Sequence, residues 1–277
     1  MAQVKSRIHA TSQVPAKKTR FITYCQRIAA ILLLPAIIAI VALMMKKDHQ
    51  EPLIAYNEVT APYGMVSSLT LPDSSKVWLN AGSTLKYPAA FTSNVREVEM
   101  SGEAYFEVHA DKEHPFIVNT GDLKVTATGT AFNICSFAKA QEEVITLVTG
   151  KVAVSQENNI KHLLPGQQLN YQRASKSMEI TDIDTYKYIS WKDGILAFRD
   201  DPLKSIFNRL EQVYQVRFIL KDTSINQFTY RATFKGETLD EILDYMGMSI
   251  PITFRTTETE KEGNDSINVR TIEVYKN

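Results

Sequence analysis

Hydrophobic and polar positions change period along the chain. Residues 28–45, IAAILLLPAIIAIVALMM, are uncharged and almost wholly aliphatic. At about 1.5 Å per residue this run makes a helix of about 27 Å, enough for a hydrocarbon core of about 30 Å. It reads as a transmembrane helix, with Pro35 removing one backbone hydrogen bond mid-span. Residues 48–60 are polar, contain Pro52 and predict a spacer. Strict alternation then begins in 66–71 and 76–79, separated by Pro72-Asp73-Ser74-Ser75, whose proline presets φ and whose Asp and Ser can bond back to the backbone. In VWLN, Val77 and Leu79 share one face and Trp78 takes the other. The alternation returns in VREVEMSGEAYFEV, PFIVNTGDLKVTATGTAFNI, VITLVTGKVAVS and LLPGQQLNY. Gly102, Gly129 and Gly150 each follow Ser or Thr, at spacings of 27 and 21 residues, and lead into short strands. Glycine recurring there predicts corners with positive φ or close backbone approach, in an all-β domain that is solenoid- or sandwich-like.

Beyond residue 190 strand and helix periods alternate. Residues 195–198 read as a strand, and Asp200-Asp201-Pro202 offers an N-cap carboxylate with proline at the first helical position. Leu203, Ile206, Phe207, Leu210 and Val213 then recur at helical spacing, which predicts one buried face and leaves Lys204, Arg209 and Glu211 in solvent. Residues 216–220 and 228–234 read as strands. Thr238 and Glu241 form a capping box ahead of Leu239, Ile242, Leu243 and Met246, and Gly247 is placed to end that helix. Strands over 251–254 and 267–275 complete a β-α-β-β-α-β-β order, a small α+β domain with two helices on one face of a short sheet. The expected organisation is a basic tail (1–27), a membrane helix (28–45), a linker (46–59), a β domain (60–180) and a C-terminal α+β domain (181–277).

Charge adds an orientation. Lys plus Arg and Asp plus Glu are equal at 31 each, so no overall field favours a polyanion, and no direct nucleic-acid binding is expected. Before residue 28 stand Lys5, Arg7, Lys17, Lys18, Arg20 and Arg27 with no acidic residue, whereas Lys46 and Lys47 are followed by Asp48 and Glu51. The positive-inside rule places the N-terminus of this single-pass protein in the cytoplasm and the bulk of the chain on the other side, facing the periplasm or exterior. A cleaved signal peptide fits less well, because the apolar run starts late and no small-x-small site follows it. Cys25 lies at the membrane edge and Cys135 far into the exported part, so no disulfide is expected; Cys135 in FNICSF reads as a small strand residue.

Candidate chemistry is sparse. His109, Asp111, Glu113 and His114 in FEVHADKEHP are metal-ligand types, but their spacing fits a polar turn before Pro115 better than a fixed cage. Glu142 with Glu143, and Glu97 with Glu99, read as solvated strand positions. Trp78, Tyr87, Phe91, Tyr105 and Phe106 read as core and cross-strand packing rather than a ligand groove. No phosphate loop, nucleophile elbow or zinc spacing occurs. No catalytic residue, cofactor or metal is expected, and the protein does not read as an enzyme.

The ordered blocks TLPDSSKVWLNAGSTLKYP, REVEMSGEAYFEVHADKEHPFIVNT, KVTATGTAFNI, VITLVTGKVAVS and LLPGQQL closely resemble the FecR family of membrane-bound sigma-factor regulators, over residues 60–171. WKDGILAFRDDPLKSIFNRLEQVYQVRF and ATFKGETLDEIL look like the C-terminal domain of Bacteroidota-type members, similar to the short N-terminal domain of secretins and TonB-dependent transporters. The resemblance implies an anti-sigma-type relay in the bacterial inner membrane, with the bulk of the chain in the periplasm. The signalling domain of an outer-membrane TonB-dependent transporter would engage the periplasmic part, and an extracytoplasmic-function sigma factor would be held or released inside, controlling uptake genes for iron chelates or glycans. It also implies a helical sigma-binding domain before the membrane. The 27 residues present there are too few and too polar to form a bundle alone. A second reading therefore stays open: an exported binding or scaffolding protein that engages a transporter domain without regulating a sigma factor. For docking, exposed sheet edges at 228–234 or 267–275 could accept another strand. Candidate partner-binding residues are Phe228, Tyr230, Thr233 and Phe234.

Overall fold

The computed structural model describes residues 17–45, 55–262 and 267–277. The N-terminal apolar run lies in helix α1 (Lys17–Met45), which begins well before Ile28 and continues through Pro35. Among the described residues it is the one helix long and apolar enough to cross a membrane. Most of the spacer expected at 46–59 lies outside the described residues, and its end is a strand.

Thirteen strands follow: β1 (Tyr56–Thr60), β2 (Ser67–Thr70), β3 (Lys76–Leu79), β4 (Thr84–Pro88), β5 (Arg96–Glu107), β6 (Phe116–Asn119), β7 (Lys124–Ala127), β8 (Ala131–Ser136), β9 (Glu142–Thr149), β10 (Val152–Gln156), β11 (Asn159–Leu163), β12 (Gln167–Gln172) and β13 (Ser177–Asp182). They form two sheets that share β5. One runs β1-β4-β5-β6-β7-β10-β11 and the other β2-β3-β5-β8-β9-β12-β13. Within these thirteen strands only β5 and β6 pair in parallel; every other pairing among them is antiparallel. Successive turns of a parallel solenoid would give the opposite balance, so the sandwich is the architecture observed.

The sharing of β5 rests on one residue. Ser101 still pairs with Thr84 in the first sheet, and Gly102 pairs with Ser136 in the second. Gly102 has φ +102°, and a Cβ there would stand 2.7 Å from Ser83 Cα, closer than any real side chain is found. Only glycine lets the strand change sheets against its neighbour. Between the sheets lies a single core in which Leu85, Val98, Phe116, Val125 and Val154 of one face Val77, Leu79, Phe106, Phe132 and Leu147 of the other.

The hairpin of β2 and β3 turns at residues 71–75, where Asp73 accepts hydrogen bonds from Ser75 N (3.0 Å) and Ser75 Oγ (2.7 Å). The same carboxylate pairs with the buried Arg96 at 2.6 Å. Arg96 in turn donates to the carbonyls of His109 (3.1 Å) and His114 (2.8 Å). The Asp111 carboxylate accepts from Glu113 N, His114 N and the His114 ring. The four residues that carry metal-ligand chemistry thus build a polar turn closed around a guanidinium, with His109, Glu113 and His114 exposed.

The remainder comprises a short helix α2 (Tyr186–Ile189), a 3-10 turn (Ser190–Asp193), β14 (Ile195–Pro202), α3 (Leu203–Tyr214), β15 (Val216–Leu220), a second 3-10 turn (Thr223–Gln227), β16 (Thr229–Lys235), α4 (Leu239–Ser249), β17 (Ile252–Glu262) and β18 (Ile267–Lys276). The strand-helix order is as the sequence pattern predicts. The single short sheet is not: β14 pairs with β16 alone, and a separate sheet runs β15-β18-β17. Both sheets and the apolar faces of α3 and α4 enclose a second core around Ile206, Phe207, Leu210, Ile242, Met246 and Ile272. The capping box of Thr238 and Glu241 is present. Two other helix signals are overridden. Gly247 lies inside α4, which continues to Ser249. Asp201 does not cap α3, whose N-cap is Pro202; its carboxylate accepts from Arg199 N at 2.8 Å and pairs with Lys187. Residues 54–277, with both cores, form one compact unit.

Candidate functional site

Strand β5 places its side chains in two environments. After Gly102, Ala104 and Phe106 enter the sandwich core, whereas Glu103 and Tyr105 point to the outer face of the second sheet, yet both are buried there. What covers them is the Ser190–Asp193 turn and α3, so this outer face is the junction of the two cores.

Glu103 sits at its centre, 3% exposed. Its Oε2 accepts from Asn80 Nδ2 at 2.6 Å and its Oε1 from Asn133 Nδ2 at 3.1 Å, and α3 supplies the counter-charge through Arg209. Asn133 Oδ1 accepts from the indole N–H of the buried Trp191 at 3.1 Å. Burial opposes the charge on Arg209, but the Glu103 charge and hydrogen bond outweigh it and hold the guanidinium pKa above its usual value. A buried carboxylate with two amide donors and a cation meets the requirement for a charge out of water.

Beside this network, Lys192 places its ammonium 5.7 Å from the Trp78 ring centre and 5.4 Å from that of Tyr105, and these two rings pair at 5.7 Å across β3 and β5. Burial, then the charges of Glu107 and Asp193, push the Tyr105 phenol up to about 12. Cys135 lies opposite Glu103 on β8, and burial first, then Glu103, push its thiol pKa up. A cleft of about 350 Å³ opens alongside, between Glu142 and Val144 on one wall and Lys187, Asp201, Asn208 and Gln212 on the other. Its ions are paired with each other, as Lys187 with Asp201 and Arg209 with Glu103.

Two family profiles match the chain: the one described as FecR protein over residues 57–159, and the one described as FecR, C-terminal, over residues 195–262. The chain belongs to the FecR family. Two crystal structures of a candidate anti-sigma factor from Parabacteroides distasonis ATCC 8503 share the fold, each at 29% identity and TM-score 0.68. They cover 80% of this chain and 99% and 100% of their own. No curated protein gives a significant match.

In this FecR-family chain the residues expected to bind a partner are separated by burial. Phe234 belongs to the second core, edge-on to Phe198 and stacked on Tyr245. Phe228 and Tyr230 are half-buried against the same core. Thr233 is exposed, and its hydroxyl accepts from Arg199 Nη1 at 3.0 Å. Strand β16 is a sheet edge. The other expected edge, 267–275, is not: it lies in β18, the central strand between β15 and β17.

Arg209 and Glu211, expected in solvent, are both drawn inward. Arg209 enters the junction, and the half-buried Glu211 accepts from Phe218 N at 2.6 Å, its carboxyl pushed up by burial. Lys204 is exposed as expected. Glu143, read as a solvated strand residue, is fully buried and accepts from Thr120 Oγ1 (2.6 Å) and Arg173 Nη2 (3.1 Å). The junction residues Glu103 and Arg209 were missed because each looks like an ordinary surface charge in its own element. The one local signal was Glu103 followed at once by Ala-Tyr-Phe, which puts an aromatic residue on each face of the strand.

Proposed function

We propose that this protein is a single-pass, anti-sigma-type regulator that relays the state of an outer-membrane TonB-dependent transporter to an extracytoplasmic-function sigma factor and so controls uptake genes. The observation that carries this reading is the pair of FecR profiles on one compact unit behind an apolar helix. The likeness to a candidate anti-sigma factor over nearly all of that protein's length supports it. The exposed apolar side chains of α1, Ile31, Leu32 and Ile38 among them, suit a lipid surround, and the basic residues before residue 28 favour a cytoplasmic N-terminus. In this reading the protein acts by contact, with no catalytic step. The transporter's signalling domain docks on the C-terminal part, at the segment holding Phe228, Tyr230, Thr233 and Phe234, and the Glu103–Arg209 junction passes the change to the β sandwich. The β domain spans 60–180 and the C-terminal domain 181–277 in this scheme.

The test is a reporter driven by an extracytoplasmic-function sigma factor of the same cell, assayed with either the full chain or one cut after residue 54. Reporter output is expected to differ between the two strains and to respond to transporter substrate only with the full chain. Equal, unresponsive output in both would reject the relay and favour an exported scaffold.

A further inference from the structure

Among the described strand edges of the C-terminal part, that of β16 is guarded only at its end, where the Glu237 carboxylate takes the Lys235 N–H, and is open over 229–233. Natural edges are blunted by bulges, proline, or side chains that occupy their free N–H groups. Strand β14 is bulged between Phe198 and Asp201 and ends in Pro202, and the Asp201 carboxylate takes its Arg199 N–H. On β15 the Glu211 carboxylate takes the Phe218 N–H, and β17 shifts register between Thr257 and Glu260. Strand β16 carries no proline and no bulge of its own, and pairs on one side only.

Which of its groups are open follows from the hydrogen bonds at its two ends. Phe228 O accepts from Leu203 N, just past the end of β14, which in the β14–β16 register puts the backbone groups of even-numbered residues toward β14. Lys235 N–H goes instead to the Glu237 carboxylate. Backbone groups alternate sides along a strand, so those of Thr229, Arg231 and Thr233 point away from β14 toward the open edge. The side chains add chemistry. Thr229, Arg231, Thr233 and Lys235 form an exposed outward row, joined by Arg199 through its bond to Thr233 Oγ1. Arg231 pairs with Asp200, whose carboxylate also feels the Arg199 charge, and the Glu237 carboxylate lies at the Lys235 backbone; no salt bridge holds the Arg199 or Lys235 side chain among the described residues. On the inner side Tyr245 of α4 stacks on Phe234 while 47% exposed, an aromatic shelf next to the open edge.

We infer that β16 accepts an extended partner segment as a third strand, one that alternates acidic side chains, set against Arg199 and Lys235, with apolar side chains laid over Tyr245. Main-chain pairing supplies the contact, and the alternation supplies selectivity. The inference rests on the docking role assigned above to the C-terminal part and names the chemistry of what docks.

The test uses the full-length chain in lipid nanodiscs and two fluorescein-labelled ten-residue peptides, one alternating Glu with Val and Thr, the other Lys with the same residues. Fluorescence anisotropy at low salt is expected to show the Glu peptide binding about tenfold tighter than the Lys peptide, with new amide-exchange protection confined to 229–235. Thr233→Pro removes an outward N–H without touching the β14 ladder and is expected to abolish binding. Lys235→Glu leaves every backbone group in place and is expected to cut the preference for the Glu peptide by about fivefold. Equal binding of the two peptides, or binding and protection that survive Thr233→Pro, would overturn the inference. So would variants that self-associate instead of losing the peptide, since the basic row would then be only a guard against self-pairing. If Thr233→Pro leaves a transporter-responsive reporter intact, this inference fails and the relay stands. If the peptide binds as expected but truncation after residue 54 does not alter the reporter, the relay fails and the edge stands.

Discussion

Glu143 shows how a single carboxylate is held where its charge is costly. Burial raises its pKa, against the hydrogen bonds from Thr120, Ser136 and Arg173. Between the unfolded carboxylate value and this raised folded one, the native state binds more protons than the unfolded state, so Glu143's contribution to stability falls as pH rises through that window. Glu143→Gln removes the titration while keeping the shape. Urea unfolding between about pH 4.5 and about pH 7 is expected to show the free-energy difference between variant and wild type moving in the variant's favour as pH rises. A flat or opposite trend would show that the Arg173 pairing, not burial, governs the group. Ile145 and Leu147 are buried and Glu143, in phase with them, is buried too, but the alternating block read from the sequence began only at Val144. A charged residue at the end of a strand reads as solvated until its partners from two distant loops are known.

At the scale of elements, β5 carries the division of the sandwich into two sheets, and Gly102 is its pivot. Gly102→Ala combines a positive φ with a Cβ pressed against Ser83 backbone, and is expected to cost about 3 kcal/mol. Gly121, at φ +97° with nothing within 4 Å of the place a methyl would take, is the control: Gly121→Ala meets only the backbone preference, about 1 kcal/mol. Chemical denaturation of both variants checks the contrast, and equal costs would locate the effect in φ alone. The Ser/Thr-Gly recurrence made these corners visible in the sequence, because glycine is needed wherever its backbone freedom is used. Helix starts and stops were less legible. The Thr238 capping box is local and self-contained, so it was readable, whereas Asp201 was diverted from capping α3 by Arg199 N–H and Lys187, which local reading cannot weigh.

Over the whole molecule, the Glu103–Arg209 pair joins two cores that each have their own apolar cluster. Removing one member strands the other: Arg209→Met leaves an uncompensated carboxylate among Asn80 and Asn133, and is expected to cost about 3 kcal/mol. Calorimetry of the wild-type chain is expected to show the two cores melting together, and Arg209→Met to separate them into two transitions. Glu103→Gln combined with Arg209→Met should regain much of the loss, since neither charge is then left alone. A single unshifted transition in Arg209→Met would show that apolar contact, not this pair, couples the bodies.

The sequence by itself determined the order of elements, the inward faces of most strands and helices, and the family, because periodicity and turn chemistry are local and each block carries its own copy of them. Only the tertiary structure decided that the β domain is a sandwich sharing one strand, that the C-terminal strands divide into two sheets, and that β16 rather than β18 is an edge. Strand pairing joins residues far apart in the chain, and no local period records which neighbour a strand takes. The same reason hid the junction. Trp78, read as a packing residue, does pack, but on Tyr105 and Lys192 outside the sandwich core, and Glu103 and Arg209 lost their solvent only when α3 closed over β5.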